Sequence, residues 1–308
     1  MLRPLALRST LVVATTLLTL TATAGLLVSA SSGDAKRAAT CLGHKVTRKG
    51  TNGPDNITGT NHQDVIDSFG GNDHIDGRGG NDLICAGSGN DIVAGGAGAD
   101  KIEGFNGADT LVGDFINSGA KGSGRDLIEG GAGNDLLVGD VYSTKGDATG
   151  SGRDAIHGGP GADRGVGDAY ATNGAATGGG KDTILLAQGK DLAVGDALAP
   201  HSATGSGNDF IRLDESNDLG VGDAMITGNG TAIGRGGDQL VGFTGNDRLI
   251  GDSYAPHGNA KGGGPDLLNG GDQNDAFRGG PARDKCQGGP GHDKLLPHAS
   301  CNKRSNIP

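Results

Sequence analysis

Aspartate returns at every ninth residue along most of this 308-residue chain. The step runs through Asp55, Asp64, Asp73, Asp82, Asp91, Asp100 and Asp109. It links Asp126 to Asp135, Asp154 to Asp163, Asp182 to Asp191, Asp209 to Asp218 and Asp238 to Asp247, and it ends with Asp266, Asp275, Asp284 and Asp293. These 21 units keep one phase. A fixed short period is the signature of a solenoid, in which each unit buries its apolar face only by stacking on its neighbours.

Two residues after the aspartate comes an inward-facing candidate: Ile57, Ile66, Ile75, Ile84, Val93, Ile102 and Leu111 in the first run, and Ile128, Leu137, Ile156, Ile184, Ile211, Leu240, Leu249, Leu268 and Leu295 later. Before the aspartate lies a glycine-rich hexapeptide, Gly-Gly-x-Gly-x-Asp in full at 95–100, 130–135, 158–163 and 288–293. Three residues with one apolar side chain make a minimal strand. Six glycine-rich residues can take the left-handed conformations of a tight turn. Such a turn aims backbone carbonyls and one carboxylate at a common point. Calcium is a hard cation that takes about six to eight oxygens, so two stacked turns can cage one ion. Two nonapeptides make one coil, and coils stacked at about 4.8 Å give roughly ten coils and a rod of about 50 Å. The alternative is a glycine-rich solenoid whose aspartates make only Asx-turns.

The pattern resembles the RTX family, the haemolysin-type nonapeptide Gly-Gly-x-Gly-x-Asp-x-U-x with U a large apolar residue, over residues 51–296. The resemblance implies an all-β fold, a right-handed parallel β-roll or β-solenoid, with multiple calcium ions bound in its turns. On that reading every repeat aspartate named above is a calcium ligand except Asp191 and Asp218. Their hexapeptides, Leu186-Ala-Gln-Gly-Lys-Asp191 and Leu213-Asp-Glu-Ser-Asn-Asp218, depart from the motif. The strongest sites are expected in the runs 55–109 and 266–293 and at Asp135 and Asp163. Gly165, Ala193 and Gly220 stand where a large apolar residue belongs, which predicts a lopsided core in those coils.

Composition agrees with an ion-dependent fold. The chain has 63 Gly, no Trp, three Tyr and six Phe, so an ordinary aromatic core is excluded. Ordering it costs roughly 1–2 kcal/mol per residue, and burial of so little apolar surface does not offset that alone. Of 36 acidic residues only Glu103, Glu129 and Glu215 are glutamates, so the short carboxylate has a local role. The net charge of -10 excludes nucleic acid as a partner and favours divalent cations.

Residues 1–30 read as a signal peptide: Arg3 and Arg8, then an apolar stretch from Leu11 to Val28, with small-residue cleavage motifs at Ala22-Thr23-Ala24 and Val28-Ser29-Ala30. An uncleaved membrane anchor is the rival reading. Cleavage removes Arg3 and Arg8 and takes the net charge from -10 to -12, leaving a secreted, extracellular chain with no membrane span. Residues 31–50 form an N-terminal segment and cap, and 297–308 a C-terminal tail and cap. Four cysteines in an exported chain point to disulfides. Cys85 lies in the fourth repeat and Cys286 in the twentieth, eight coils apart. At ~4.8 Å per coil that is about 40 Å, far beyond the roughly 7 Å that a disulfide spans between Cα atoms. Cys85 and Cys286 therefore cannot pair, and neither terminal segment is expected to run the length of the rod, so the expected pairs are Cys41–Cys85 and Cys286–Cys301, each tying a terminus onto its end of the roll.

Six longer steps, of 17 to 20 residues, follow Asp109, Asp135, Asp163, Asp191, Asp218 and Asp247. All follow odd-numbered repeats, so six loop insertions leave the same edge of the roll. Each opens with Val/Ile-Gly-Asp, which aligns Asp114, Asp140, Asp168, Asp196, Asp223 and Asp252, and two residues later aligns Ile116, Tyr142, Tyr170, Leu198, Met225 and Tyr254. The apolar column either packs the insertions onto the roll, the favoured reading, or forms a binding stripe. The aspartate column repels itself unless turn N–H groups, the favoured reading, or a second row of cations compensates it.

No catalytic constellation stands out: the eight histidines are scattered, and neither zincin spacing nor a Gly-x-Ser-x-Gly elbow occurs. The sequence thus points to a monomeric, calcium-stabilised extracellular structural or interaction protein that is not an enzyme. An adhesin using the insertion edge for a cell-surface or glycan partner is one alternative, and a cryptic enzyme among the insertions is another.

Overall fold

The computed structural model describes residues 40–117, 119–297 and 301–307. The expected signal peptide and residues 31–39 lie outside that range. Among the described residues no helix is long and apolar enough to cross a membrane.

The described chain is a parallel β-solenoid with the two expected faces. Strands that follow the odd-numbered aspartates, from Asn56–Thr58 to Lys294–Leu295, stack into one eleven-stranded sheet. Strands that follow the even-numbered ones stack into a second sheet of twelve. The second sheet exceeds the ten even-numbered repeats because Arg48–Lys49 and Lys303–Ser305, which carry no repeat aspartate, extend it at its two ends. Register is set by the nonapeptide, so like pairs with like: Ile57 with Ile75, Ile66 with Ile84, Ile128 with Ile156.

The apolar residue of each repeat points between the sheets, where Ile66, Ile75, Ile84, Ile102, Leu111, Ile128, Leu137, Ile156 and Ile184 are fully enclosed in one core. The thin coils do not leave that core lopsided. Leu186 and Leu213, which break the turn motif, extend the strands Thr183–Gln188 and Phe210–Glu215 and turn their side chains inward. A Cβ placed on Gly165 would lie 2.9 Å from Ile184 Cγ2 and 3.5 Å from Leu186 Cδ2, and one on Gly220 would lie 3.2 Å from Leu213 Cδ1. The missing side chains and the extra leucines are therefore one exchange of volume across the core.

The insertions do share one edge, but they are not loops. Their first halves, such as Val141–Ser143 and Ala169–Ala171, form a five-stranded parallel sheet, and their second halves, such as Ala175–Thr177 and Ser202–Thr204, form another. Alanines fill the space between them, among them Ala148, Ala169, Ala171, Ala176, Ala197, Ala199, Ala203, Ala224 and Ala232. The small side chain lets two sheets of very short strands lie close together.

Both expected disulfides are present, Cys41–Cys85 with Cα atoms 5.8 Å apart and Cys286–Cys301 with 5.7 Å. Cys286 and Cys301 belong to the main core at its C-terminal end. Cys85 follows the inward Ile84 and so faces outward. It meets Cys41 and Val65 in a separate small cluster, which pins the hairpin Thr40–Lys45 to the outer flank of the sheet.

The core exchange makes a prediction. Leu186→Ala in calcium-saturated protein is expected to cost about 2–5 kcal/mol in denaturant unfolding, the range for emptying a buried leucine site. The neighbouring Leu185, on the outer face, is expected to lose much less on the same change. Equal losses at the two positions would show that Leu186 does not fill the space left by Gly165 and Ala193.

Candidate metal centres

The repeat aspartates stand in two columns, one on each edge of the roll. Nearly all are fully buried. On the edge of the odd-numbered repeats, Oδ1 of Asp73, Asp91, Asp109, Asp135, Asp163, Asp191, Asp218, Asp247, Asp275 and Asp293 each accepts the backbone N–H of the aspartate one coil earlier, at 2.8–3.0 Å. The even-numbered column repeats this from Asp82 to Asp284 at 2.7–3.1 Å. Asn302 takes the aspartate's place in the last coil, receiving the N–H of Asp284. Glutamate, one methylene longer, would overshoot a bond set by the coil spacing.

The second oxygen is left bare. Oδ2 has no protein partner in Asp73, Asp82, Asp91, Asp100, Asp109, Asp126, Asp135, Asp154, Asp163, Asp182, Asp191, Asp209, Asp218, Asp238, Asp247, Asp266, Asp275 and Asp293. A buried, unpaired carboxylate oxygen is among the costliest features a fold can carry, and it calls for a proton or a cation. Glycine carbonyls face the same place. A Cβ on Gly95 would lie 2.2 Å from the carbonyl oxygen of Gly113 and 2.5 Å from Asp100 Oδ2. A side chain there would fill the space where these oxygens meet. Gly98, the fourth residue of the same turn, has φ 153°. A Cβ on it would lie only 1.6 Å from the carbonyl oxygen of Gly80, so the turn admits no side chain there. Carboxylate and carbonyl oxygens, with no nitrogen or sulfur, are the donor set of calcium.

The family model for the RTX calcium-binding nonapeptide repeat matches residues 49–84, 86–115, 122–141, 148–169, 234–253 and 262–295, together more than half of the chain. The chain belongs to the RTX calcium-binding repeat family. No curated protein matches it in sequence. RTX repeats bind calcium, and the aspartate groups here fit that role.

The RTX columns are not uniform. Asp55 and Asp64 differ from the rest because threonines satisfy them: Oδ2 of Asp55 accepts the N–H and hydroxyl of Thr51 at 2.6 and 2.9 Å, and Oδ2 of Asp64 those of Thr60 at 2.7 and 2.8 Å. Conversely, Asp191 and Asp218, whose motifs are degenerate, hold the same place and the same bare Oδ2 as their neighbours. The sequence signal for the first difference was Thr at the second turn position, where the full motif has Gly.

The insertion column lies beside the even-numbered one. Asp114 accepts the N–H of Ser123, Asp140 that of Gly124, Asp168 those of Gly152 and Gly179, and Asp252 that of Gly264, so turn hydrogen bonds do compensate part of it. Neither oxygen of Asp196 has a partner. Half of the apolar column packs against the roll: Leu198, Met225 and Tyr254 are buried against Val166, Val194, Val221 and Ile250, while Ile116, Tyr142 and Tyr170 are half-buried. Tyr142 and Tyr170 stack at 5.2 Å.

Burial, reinforced by the neighbouring carboxylates, pushes these acids up. Asp82 and Asp91 reach about 6, Asp100 and Asp109 about 7, Asp126 about 8 and Asp154 about 10, against an ordinary 3.8. For Asp64 burial also raises the value, but the Thr60 hydroxyl and N–H outweigh it and the net shift is downward.

The raised values set the pH response of the cation-free protein. Between about pH 4 and the raised values the folded chain holds protons that the unfolded chain has released. Stability therefore falls as pH rises through that window and is greatest below about pH 4. Without calcium, β-structure followed by far-UV circular dichroism is expected to increase on acidification from pH 8 to 4. With saturating calcium, which supplies the missing positive charge, this gain should vanish. Loss of β-structure on acidifying the cation-free protein would contradict the assignment of these carboxyls.

Proposed function

We propose that this chain is an extracellular, monomeric, calcium-stabilised structural or interaction protein without catalytic activity, and that its ions sit between successive turns on Oδ2 of the repeat aspartates. The observation that carries the reading is the unbroken column in which one carboxylate oxygen is bound to the next coil and the other is buried and bare. The repeat aspartates between Asp73 and Asp293 whose Oδ2 is bare supply the ligands, Asp191 and Asp218 included, while Asp55 and Asp64 are already served by Thr51 and Thr60.

Ion binding here is folding. The cation-free columns bury like charges one coil apart, and the slender core cannot offset that repulsion. Extracellular calcium modules work at about 10⁻⁴–10⁻³ M, so the chain stays loose where calcium is scarce and closes after export. Two disulfides fit an oxidising destination. The packing of Leu198, Met225 and Tyr254 against the roll takes half of the column that a glycan-binding adhesin would use.

Calcium titration of the full chain at neutral pH, followed by far-UV circular dichroism, tests this. A cooperative gain of β-structure in the submillimolar to millimolar range, reversed by chelator and not reproduced by equal ionic strength of sodium, is expected. A spectrum that chelator leaves unchanged would refute it.

A further inference from the structure

We propose that the insertion edge is a row of fused, three-carboxylate cation sites in which Asp140 and Asp168 each bridge two successive ions. The proposal rests on the calcium reading above and adds a second class of site, in which aspartates outside the nonapeptide join an even-numbered repeat aspartate.

Three groups of buried carboxylates close up on this edge: Asp114, Asp126 and Asp140; Asp140, Asp154 and Asp168; and Asp168, Asp182 and Asp196. In each group one oxygen from every residue lies within 4.8 Å of the others. Each joins one even-numbered repeat aspartate to the insertion aspartates on either side of it. Proximity of acids alone would mean little, but oxygens in every group are bare. Oδ2 of Asp126, Asp140, Asp154 and Asp182 and both oxygens of Asp196 have no partner, and all five residues are at most 2% exposed.

Backbone oxygens converge on the same spots. Gly139 and Gly167 are the glycines of the Val-Gly-Asp openings. A Cβ on Gly139 would lie 1.6 Å from the carbonyl oxygen of Gly167 and 2.4 Å from Asp154 Oδ2. One on Gly167 would lie 1.7 Å from the carbonyl oxygen of Gly195 and 2.5 Å from Asp182 Oδ2. The glycine before each insertion aspartate thus keeps open a cavity walled by hard oxygens. The seven carboxylates of the row carry a formal charge of -7, and three divalent cations would supply +6. The opposite edge has one carboxylate per coil, hence two per ion. Charge count sets the affinity of such oxygen cages, so the insertion edge is the tighter class and also favours trivalent over divalent ions. Because Asp140 and Asp168 are shared, one ion orients the ligands of the next, and the row fills cooperatively.

The tyrosines provide a reporter. The chain has no Trp, and Tyr142 and Tyr170 sit two residues beyond Asp140 and Asp168. Terbium in the groups that share Asp140 and Asp168 lies two residues along the chain from a tyrosine, but Tyr170 also bonds Arg164, the neighbour of Asp163 on the opposite edge, so calorimetry and the variants assign the sites and emission follows their filling. In the calcium-depleted full chain the first equivalents of terbium are expected to give sensitised emission, and calcium calorimetry to resolve a tighter class of three ions. Asp168→Asn, which touches two groups, should remove two of those three ions and most of the emission, and Asp196→Asn, which touches one, should remove one. Asp109→Asn, on the opposite edge, should spare both. Equal effects of Asp168→Asn and Asp109→Asn, or wild-type calorimetry that resolves no tighter class of three ions, would overturn the proposal while leaving calcium-dependent folding intact. The wild-type calorimetry decides even if Asp168→Asn fails to fold. A wild-type chain that binds no calcium at all would instead remove the underlying reading.

Discussion

Everything in this fold is arranged around a carboxylate that is half satisfied. Oδ1 of one aspartate holds the N–H of the aspartate one coil away, and Oδ2 is buried with nothing to meet it. The first oxygen is a structural bond of the same kind as a strand ladder. The second is a charge removed from water, which a folded protein tolerates only with a proton or a cation. The two oxygens belong to one side chain, so the bond that stacks the coils cannot form without burying the charge that drives them apart. Stacking and ion binding are a single event for that reason.

The same geometry explains why the interior needs so little. Most strands send one large side chain inward, and the column of isoleucines and leucines between the sheets is narrow on each side. A core this narrow has no slack. Where Gly165, Ala193 and Gly220 withdraw volume, Leu186 and Leu213 return it from the other sheet, at the turn position that carries glycine in the full motif. The family model leaves residues 170–233, which include both leucines, unmatched. The aspartate ladder nevertheless runs through Asp191 and Asp218 unchanged, because it depends on backbone position and not on the first residue of the turn.

The period made much of this legible. A nine-residue step fixes which residue faces the core, which edge each insertion leaves, and how far apart any two cysteines lie along the stack. The inward column and both disulfides follow from that ruler. The sheets formed by the insertions do not. Their strands are two to four residues long, and their core is alanine, whose hydrophobicity barely differs from the surrounding Gly and Thr. Pattern reading depends on contrast, and there is little here. The recurring Ala-x-Ala of Ala169-Tyr170-Ala171 and Ala197-Leu198-Ala199 was the available trace. The exchange at Leu186 and Leu213 was also hidden, since each leucine reads as a damaged turn until its partner across the core is known.

Insertions accumulate on one edge without disturbing the other, and the ladder shows how. Aspartates bonded to each other are 18 residues apart in the plain coils and 26 to 29 apart in the coils with insertions, yet the bond stays at 2.7–3.1 Å. Each bond senses only the coil beside it. Extra chain on one edge is therefore neutral to register provided that it leaves and re-enters at the same height in the stack. The Val/Ile-Gly-Asp opening fixes the exit, and the small residues before Asp126, Asp154, Asp182 and Asp209 fix the return. An insertion that meets this condition can itself stack on the insertion of the next coil, since it inherits the same spacing. Six such insertions in succession then have to form sheets of their own, as they do here. The lobe is a consequence of the repeat's register and needs no separate folding nucleus.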